Sequence, residues 1–200
     1  MERDYYWEHP DGPEIQNQAE VSFEPGGLRA HGIQTGTGYS ARWVLEALDD
    51  WKTQAVQVHV HGEGWNRHLE LERDADGVWT SRTSVSGAQP TELAGPEMAP
   101  GIVPGEDLNA ALDCDLGLCP VTNTMPIRRL DLLTRNVPET KLIMAWIDMP
   151  SLRVIASDQY YSSIDEQTVR YQSGTRGVDV QLTVDEDGVV FNYPDMAKRL

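Results

Sequence analysis

Asp113 and Asp115 stand two residues apart in the run Asp113-Cys114-Asp115. On a strand, that spacing turns both carboxylates to one side. If that side is buried, one of them gains the raised pKa that a general acid needs. In a chain this acidic, the same two groups can equally cap turns or pair with Arg128 or Arg129. His59, His61 and His68 fall on one face of a single hairpin. Three imidazoles placed so could bind zinc, or simply form a solvated polar face. No His-Glu-x-x-His or Cys-x-x-Cys run supports a metal. Cys114 and Cys119 read as free thiols. Asp185-Glu186-Asp187-Gly188 opens like a calcium loop, but the fifth position is Val189 and the twelfth Met196, and neither supplies the required ligand. With no Gly-x-Ser-x-Gly and no Gly-rich phosphate loop, no cofactor or metal is expected.

The aromatic residues say more. Trp43, Trp146, Tyr160, Tyr161 and Tyr171 all fall in strand-like runs. Trp and Tyr offer a flat apolar face with a polar handle, which suits the C–H faces of sugars and lipid headgroups and serves ordinary core packing as well. Between two such runs, residues 113–130 carry two prolines, an Asn-Thr pair and a double arginine. A loop this rich in polar groups must satisfy them within itself or on a ligand.

The elements that position these residues follow from periodicity. Ala55–His61 alternates cleanly, turns at Gly62-Glu63-Gly64 and returns as Arg67–Glu72. Asp74-Ala75-Asp76-Gly77 turns the chain again into Val78–Thr80. Further strands are predicted at 21–23, 28–34, 39–48, 142–147, 152–161, 168–172, 178–184 and 189–193. Leu108–Leu112 reads as a helical turn, and Pro194–Leu200 as a short helix or tail. Residues 86–106 form a long Pro/Gly-rich loop, a candidate lid or a tolerated insertion. One repeat is present: Leu71-Glu72-Arg73-Asp74-Ala75-Asp76-Gly77-Val78 matches Leu182-Thr183-Val184-Asp185-Glu186-Asp187-Gly188-Val189 at a shift of 111 residues. The shift carries Leu69 onto Val180 and Val60 onto Tyr171.

Composition narrows the partners. The 200 residues suit a single β-rich domain, 1–200, able to bury a core. A net charge of −16 argues against nucleic acid and against anionic membrane surfaces. No run approaches the ~20 apolar residues of an integral membrane segment. Met1–Trp7 has no apolar signal region, so the expected location is cytoplasmic.

The run Thr122-Asn123-Thr124-Met125-Pro126-Ile127-Arg128-Arg129-Leu130 resembles the hallmark of the "putative glycolipid-binding" family of bacteria and some archaea. Ala145-Trp146-Ile147-Asp148-Met149-Pro150, Gln159-Tyr160-Tyr161 and Asp187-Gly188-Val189-Val190-Phe191-Asn192-Tyr193-Pro194 add to the resemblance. It implies an all-β spiral β-roll: a long, strongly curved antiparallel sheet of two similar halves with few short helices. It is similar to bacterial lipoprotein carriers, whose concave face takes acyl chains. The expectation is non-catalytic binding of an amphiphilic small molecule, of glycolipid or fatty-acyl type, on that face. Trp43, Asp115, Asn123, Thr124, Arg128, Arg129, Trp146, Tyr161 and Tyr171 are the expected ligand-binding residues. The alternative is a hydrolase-like enzyme on a small or glycosyl substrate, using Asp113, Asp115 or a histidine.

Overall fold

Alternating burial accounts for most strands in the computed structural model, which describes residues 1–10, 12–90, 93 and 99–200. In β1 (Glu2–His9), Tyr5 and Trp7 are buried while Asp4 and Tyr6 are exposed. In β4 (Tyr39–Leu48), Ala41, Trp43, Leu45 and Ala47 are buried and the residues between them are not. The first half is completed by β2 (Gly12–Glu24), β3 (Gly27–Gly36), β5 (Lys52–Gly62), β6 (Trp65–Arg73) and β7 (Trp79–Ser86). The chain continues through β8 (Gly101–Ile102), β9 (Ala111–Leu116), a 3-10 turn (Pro120–Asn123) and the short helix α1 (Thr124–Arg129). It ends with β10 (Thr140–Ile147), β11 (Arg153–Ser163), β12 (Thr168–Ser173), β13 (Val178–Val184), β14 (Val190–Tyr193) and β15 (Ala197–Arg199).

Among the described residues, all fifteen strands belong to one sheet, in the order β7-β6-β5-β4-β3-β2-β1-β15-β14-β13-β12-β11-β10-β9, with β8 beside β11. The sheet stays open, ending at β7 and β9. It rolls so that β9 lies against the inner face of the first half. There the Cys114 amide donates to Thr53 Oγ1 (2.9 Å), and Trp79 Nε1 (3.0 Å) and Arg73 Nε (3.2 Å) both donate to the Ala111 carbonyl. This is the expected spiral roll. It is mixed rather than wholly antiparallel, because β9 runs parallel to β10 and β8 to β11. Parallel neighbours need a crossover, and the 3-10 turn with α1 supplies the one between β9 and β10.

The two halves are visible in their turns. Asp74 accepts the amides of Asp76 and Val78 on one carboxylate oxygen, and Asp185 accepts those of Asp187 and Val189 in the same way. Gly77 (φ 87°) and Gly188 (φ 80°) close the turns in a left-handed conformation that glycine adopts without strain. The shift of 111 holds across this hairpin but slips at the preceding strand. Leu69 faces Val58, whereas Val180 faces Tyr171, so Tyr171 is the counterpart of Val58 rather than of Val60.

Several elements differ from the sequence expectation. Residues 91, 92 and 94–98 of the predicted loop lie outside the described residues, and the described part includes β8, so the segment is not loop throughout. Leu108–Leu112 is a single turn running straight into β9. The C-terminal segment forms β15 rather than a helix, because it closes the seam between β14 and β1. β1 and most of β2 were not predicted at all. No helix among the described residues is long and apolar enough to cross a membrane.

Candidate functional site

Asp115 on β9 sits at the centre of a buried polar cluster. Its Oδ1 accepts from Thr122 Oγ1 (3.1 Å), and its Oδ2 accepts from Gln159 Nε2 (2.6 Å) and Arg176 Nη2 (3.0 Å). Asn123 Nδ2 donates to Tyr161 Oη (2.8 Å), whose hydroxyl donates to Gln159 Oε1 (3.3 Å). Arg176 Nη2 also donates to Tyr171 Oη (2.6 Å), and its guanidinium lies 5.1 Å from the ring centre of Trp146. The sheet builds this set directly. Asp115 neighbours Trp146 across the β9–β10 ladder, and Tyr161 neighbours Tyr171 across β11–β12. Gln159 shares the face of Tyr161, two residues along β11. A cleft lined by Asp115, Asn123, Tyr171, Arg176, Tyr193 and Met196 leaves only about 10 Å³, room for about one water.

Asp113 faces the same side of β9 and meets a different arginine. Arg129 holds it with two hydrogen bonds of 2.5 and 2.6 Å, and also donates to the Trp51 carbonyl (3.4 Å). Burial pushes the Asp113 carboxyl up, and the Arg129 contacts oppose that shift. Arg128, one residue earlier, points away from the interior. Its guanidinium lies 5.1 Å from the Trp51 ring and donates to the Glu186 carbonyl (3.3 Å). Asp49, Asp50 and Trp51 are consecutive left-handed residues (φ 48°, 72° and 61°), and this tight corner brings Trp51 to both arginines. On the other side, a Cβ on Gly188 would lie 3.1 Å from Ile127 and 3.2 Å from Arg128. The helix of the Asn-Thr-x-Pro-Ile-Arg-Arg run is therefore wedged between the Trp51 corner and the Asp185–Gly188 turn. Thr124 is fully buried in that wedge.

Asp115, Asn123, Trp146, Tyr161 and Tyr171 are thus brought together, while Thr124, Arg128 and Arg129 serve the wedge. Trp43 stands in the first half, on the inner face of β4 between Gly32 and Val58. Arg176, Gln159, Thr122 and Tyr193 were missed. Gln159 had a signal, since it alternates with Tyr161, but Arg176 comes from the Gly174–Gly177 turn, where no periodicity applies. His59 and His68 stack at 5.0 Å on the outer face, with His61 exposed nearby. Among the described residues, no group of three or more His, Cys, Asp or Glu could hold a metal.

The concave interior is filled by the protein itself. Leu116, Met125, Ile127 and Leu132 pack with Leu28, Leu45, Leu69 and Leu71 in one buried core. Two inward amides lock the packing: Gln34 Nε2 donates to the Gly117 carbonyl (3.1 Å) and Asn17 Nδ2 to that of Leu118 (2.9 Å). An open groove of about 350 Å³ lies instead on the outer face of β1–β4. Ile33 and Val44 line it and are 40% and 50% exposed, with Arg42, His31, Gln18, Glu20 and Asp4 around them and Gly32 and Trp43 between. Tyr6, 46% exposed, extends the apolar strip, since it faces Gln18, which in turn faces Ile33.

The buried phenols carry a pH consequence. Burial, followed by the Asp115 charge, pushes Tyr193 up to about 12 and raises Tyr171 as well; Tyr161 also rises, mainly through burial. A phenol whose folded pKa exceeds the unfolded value of 10.0 loses its proton first in the unfolded chain. The stability it contributes is whole below pH 10 and is lost as pH rises through 12. The melting temperature should therefore fall between these pH values, with tyrosinate absorbance appearing together with unfolding.

A model of the family described as "Putative glycolipid-binding" matches residues 4–199. A crystal structure of a DUF1089 family protein from Pseudomonas aeruginosa, at 1.80 Å resolution, superposes with a TM-score of 0.69 at 24% identity, covering 92% of each chain. That likeness shows the fold. No curated protein matches the chain.

Proposed function

The chain belongs to the putative glycolipid-binding family, and from that premise we propose that it binds, without catalysis, an amphiphile of the glycolipid or fatty-acyl type in the groove on the outer face of β1–β4. The observation that carries this reading is the half-exposed pair Ile33 and Val44 in a groove of about 350 Å³. That volume lies at the low end of ligand pockets, roughly 300–1,000 Å³, so it suits a headgroup with the first carbons of a chain. Apolar carbons pack on Ile33, Val44 and the Tyr6 edge, while Arg42, Gln18 and His31 meet the polar end. Trp43, of the sequence-predicted set, borders this groove from beneath, with its side chain buried on the inner face. The proposal moves the seat away from the concave face, since β9, α1 and their neighbours pack there.

The hydrolase alternative loses its acid–base pair. Asp113 and Asp115 each sit on an arginine, and with Arg176 in place the cleft beside Asp115 leaves no room for a glycosyl substrate. His59, His61 and His68 lie on the outer sheet face, apart from both carboxylates. The proposal is tested by heat denaturation against a panel of fatty acids and glycolipids. A ligand that binds only the folded state stabilises by about 2.7 kcal/mol at a hundred times its Kd, so at least one panel member should raise the melting temperature by several degrees. No shift across the panel would remove the proposal.

A further inference from the structure

The Asp115 cluster has the chemistry of a cation site, and its occupant is the protein's own arginine. Three different groups surround the Arg176 guanidinium: the Trp146 ring at 5.1 Å, the Asp115 carboxylate at 3.0 Å and the Tyr171 phenol oxygen at 2.6 Å. An aromatic face with a carboxylate and a neutral acceptor is the combination that recognises alkylammonium and guanidinium groups. Thr122 and Gln159 hold Asp115 in place, so the acceptors are set before any ligand arrives.

Two observations mark Arg176 as an exchangeable occupant rather than a fixed strut. First, Asp115, Trp146 and Tyr171 sit on strands, whereas Arg176 comes from the turn between β12 and β13. Beside it, Gly177 (φ 67°) has nothing within 4 Å of where a Cβ would stand. The Arg176 side chain keeps 25% of its surface exposed, against 13% for Asp115. Withdrawal of the arm needs no strand to move. Second, the arginine is itself incompletely satisfied in the box, since its Nε is buried without a hydrogen-bond partner among the described residues. A net charge of −16 favours the approach of cations to every part of the surface.

We propose that Asp115, Trp146 and Tyr171 form a binding site for the guanidinium or primary ammonium group of a small cationic ligand, which exchanges with the head group of Arg176. This site is separate from the groove on β1–β4, and either can fail without the other. The two are about different ligands, and an amphiphile panel does not probe this one.

The test is a titration of the full-length protein with agmatine, which carries both cationic groups, at constant ionic strength and with glycerol as the neutral control. Saturable binding to the wild type is expected, with chemical shift changes at the Trp146 indole. If Arg176 fills the box more than about nine-tenths of the time, Arg176→Ala tightens agmatine binding about tenfold or more, because the competent fraction rises to one. Tyr171→Phe, which removes an acceptor and keeps the ring, weakens binding in both backgrounds. Absence of saturable wild-type binding overturns the proposal, as does an affinity that Arg176→Ala leaves unchanged. Binding in Arg176→Ala alone also overturns it, since that reports a cavity made by the substitution.

Discussion

Asp113→Ala is expected to cost about 3–5 kcal/mol of folding stability, the usual result of removing one partner from a buried ion pair. Asp113 is fully buried and Arg129 keeps only 7% of its side chain exposed. The substitution leaves a guanidinium inside the roll with the Trp51 carbonyl, at 3.4 Å, as its one remaining hydrogen-bond acceptor among the described residues. Against a typical total of about 5–15 kcal/mol, that loss brings the protein close to unfolding at ambient temperature. Arg129→Ala should do similar damage by stranding the carboxylate. Replacing both partners with apolar residues of similar volume, as in Asp113→Leu with Arg129→Met, should recover much of the loss, because the desolvation cost of both charges disappears. Urea unfolding of the two single variants and the double variant measures this directly. Two near-neutral single variants would mean that the pair does not tie α1 to β9.

Trp7→Ala is the second large effect, expected at about 3–5 kcal/mol for a buried tryptophan. Trp7 is 1% exposed and stacks on Tyr5 with ring centres 5.6 Å apart, and its Nε1 donates to the Val190 carbonyl at 2.8 Å. Its position explains why it matters. β1 and β15 form the seam between the halves, and their register holds two pairs, Trp7 with Arg199 and Glu8 with Lys198, beside which the Leu200 amide donates to the Tyr6 carbonyl (2.9 Å). So short a ladder leaves the seam dependent on side chains, and Trp7 reaches across β15 to β14. Trp7→Phe keeps most of the apolar area and loses the hydrogen bond, so it should cost about 1–3 kcal/mol, chiefly from the buried carbonyl left unpaired. Amide exchange should speed up first in β14 and β15. Protection there as high as in β4 and β5 would contradict this account of the seam.

How much of this was legible in the sequence depends on how cleanly each segment alternates. β4, β5 and β6 read correctly because their buried positions carry Ala, Val, Leu and Trp and their exposed ones mostly Arg, Gln, His and Glu. β1 was lost because Glu2, Arg3, Asp4 and Glu8 crowd around the two inward aromatics, Tyr5 and Trp7, and the stretch reads as a charged terminus. α1 was lost because it is only six residues long and contains Pro126. Proline is tolerated there because the first amides of a helix have no intrahelical partner. The helix also explains the double arginine, since adjacent residues on a helix point in different directions: Arg129 goes to Asp113 and Arg128 to Trp51. The pairing of Asp113 and Asp115 on one strand face could be read from their spacing. Arg129, the partner of Asp113, stood among the sequence's candidates, but the partner of Asp115 could not be read, because Arg176 reaches it from a turn 61 residues further along the chain. The outer groove left no mark in the sequence. Ile33 and Val44 occupy positions where alternation predicts polar residues, and a single apolar residue at such a position is ordinary; only the β3–β4 register brings them together as diagonal neighbours, with Ile33 opposite Arg42 and Val44 opposite His31.

The measurement that bears most directly on the proposed function is a titration of the best-binding member of the lipid panel against wild type, Val44→Asp and Tyr171→Phe in parallel. Val44 is half exposed, so the substitution should leave stability within about 0.5 kcal/mol, and Tyr171→Phe keeps the ring that packs in the interior. A seat in the outer groove predicts that Val44→Asp weakens binding by about tenfold or more, as expected when a carboxylate replaces an apolar contact of about 1.4 kcal/mol, and that Tyr171→Phe leaves the affinity unchanged. Undiminished binding by Val44→Asp together with a loss in Tyr171→Phe would place the ligand inside the roll and contradict the proposal.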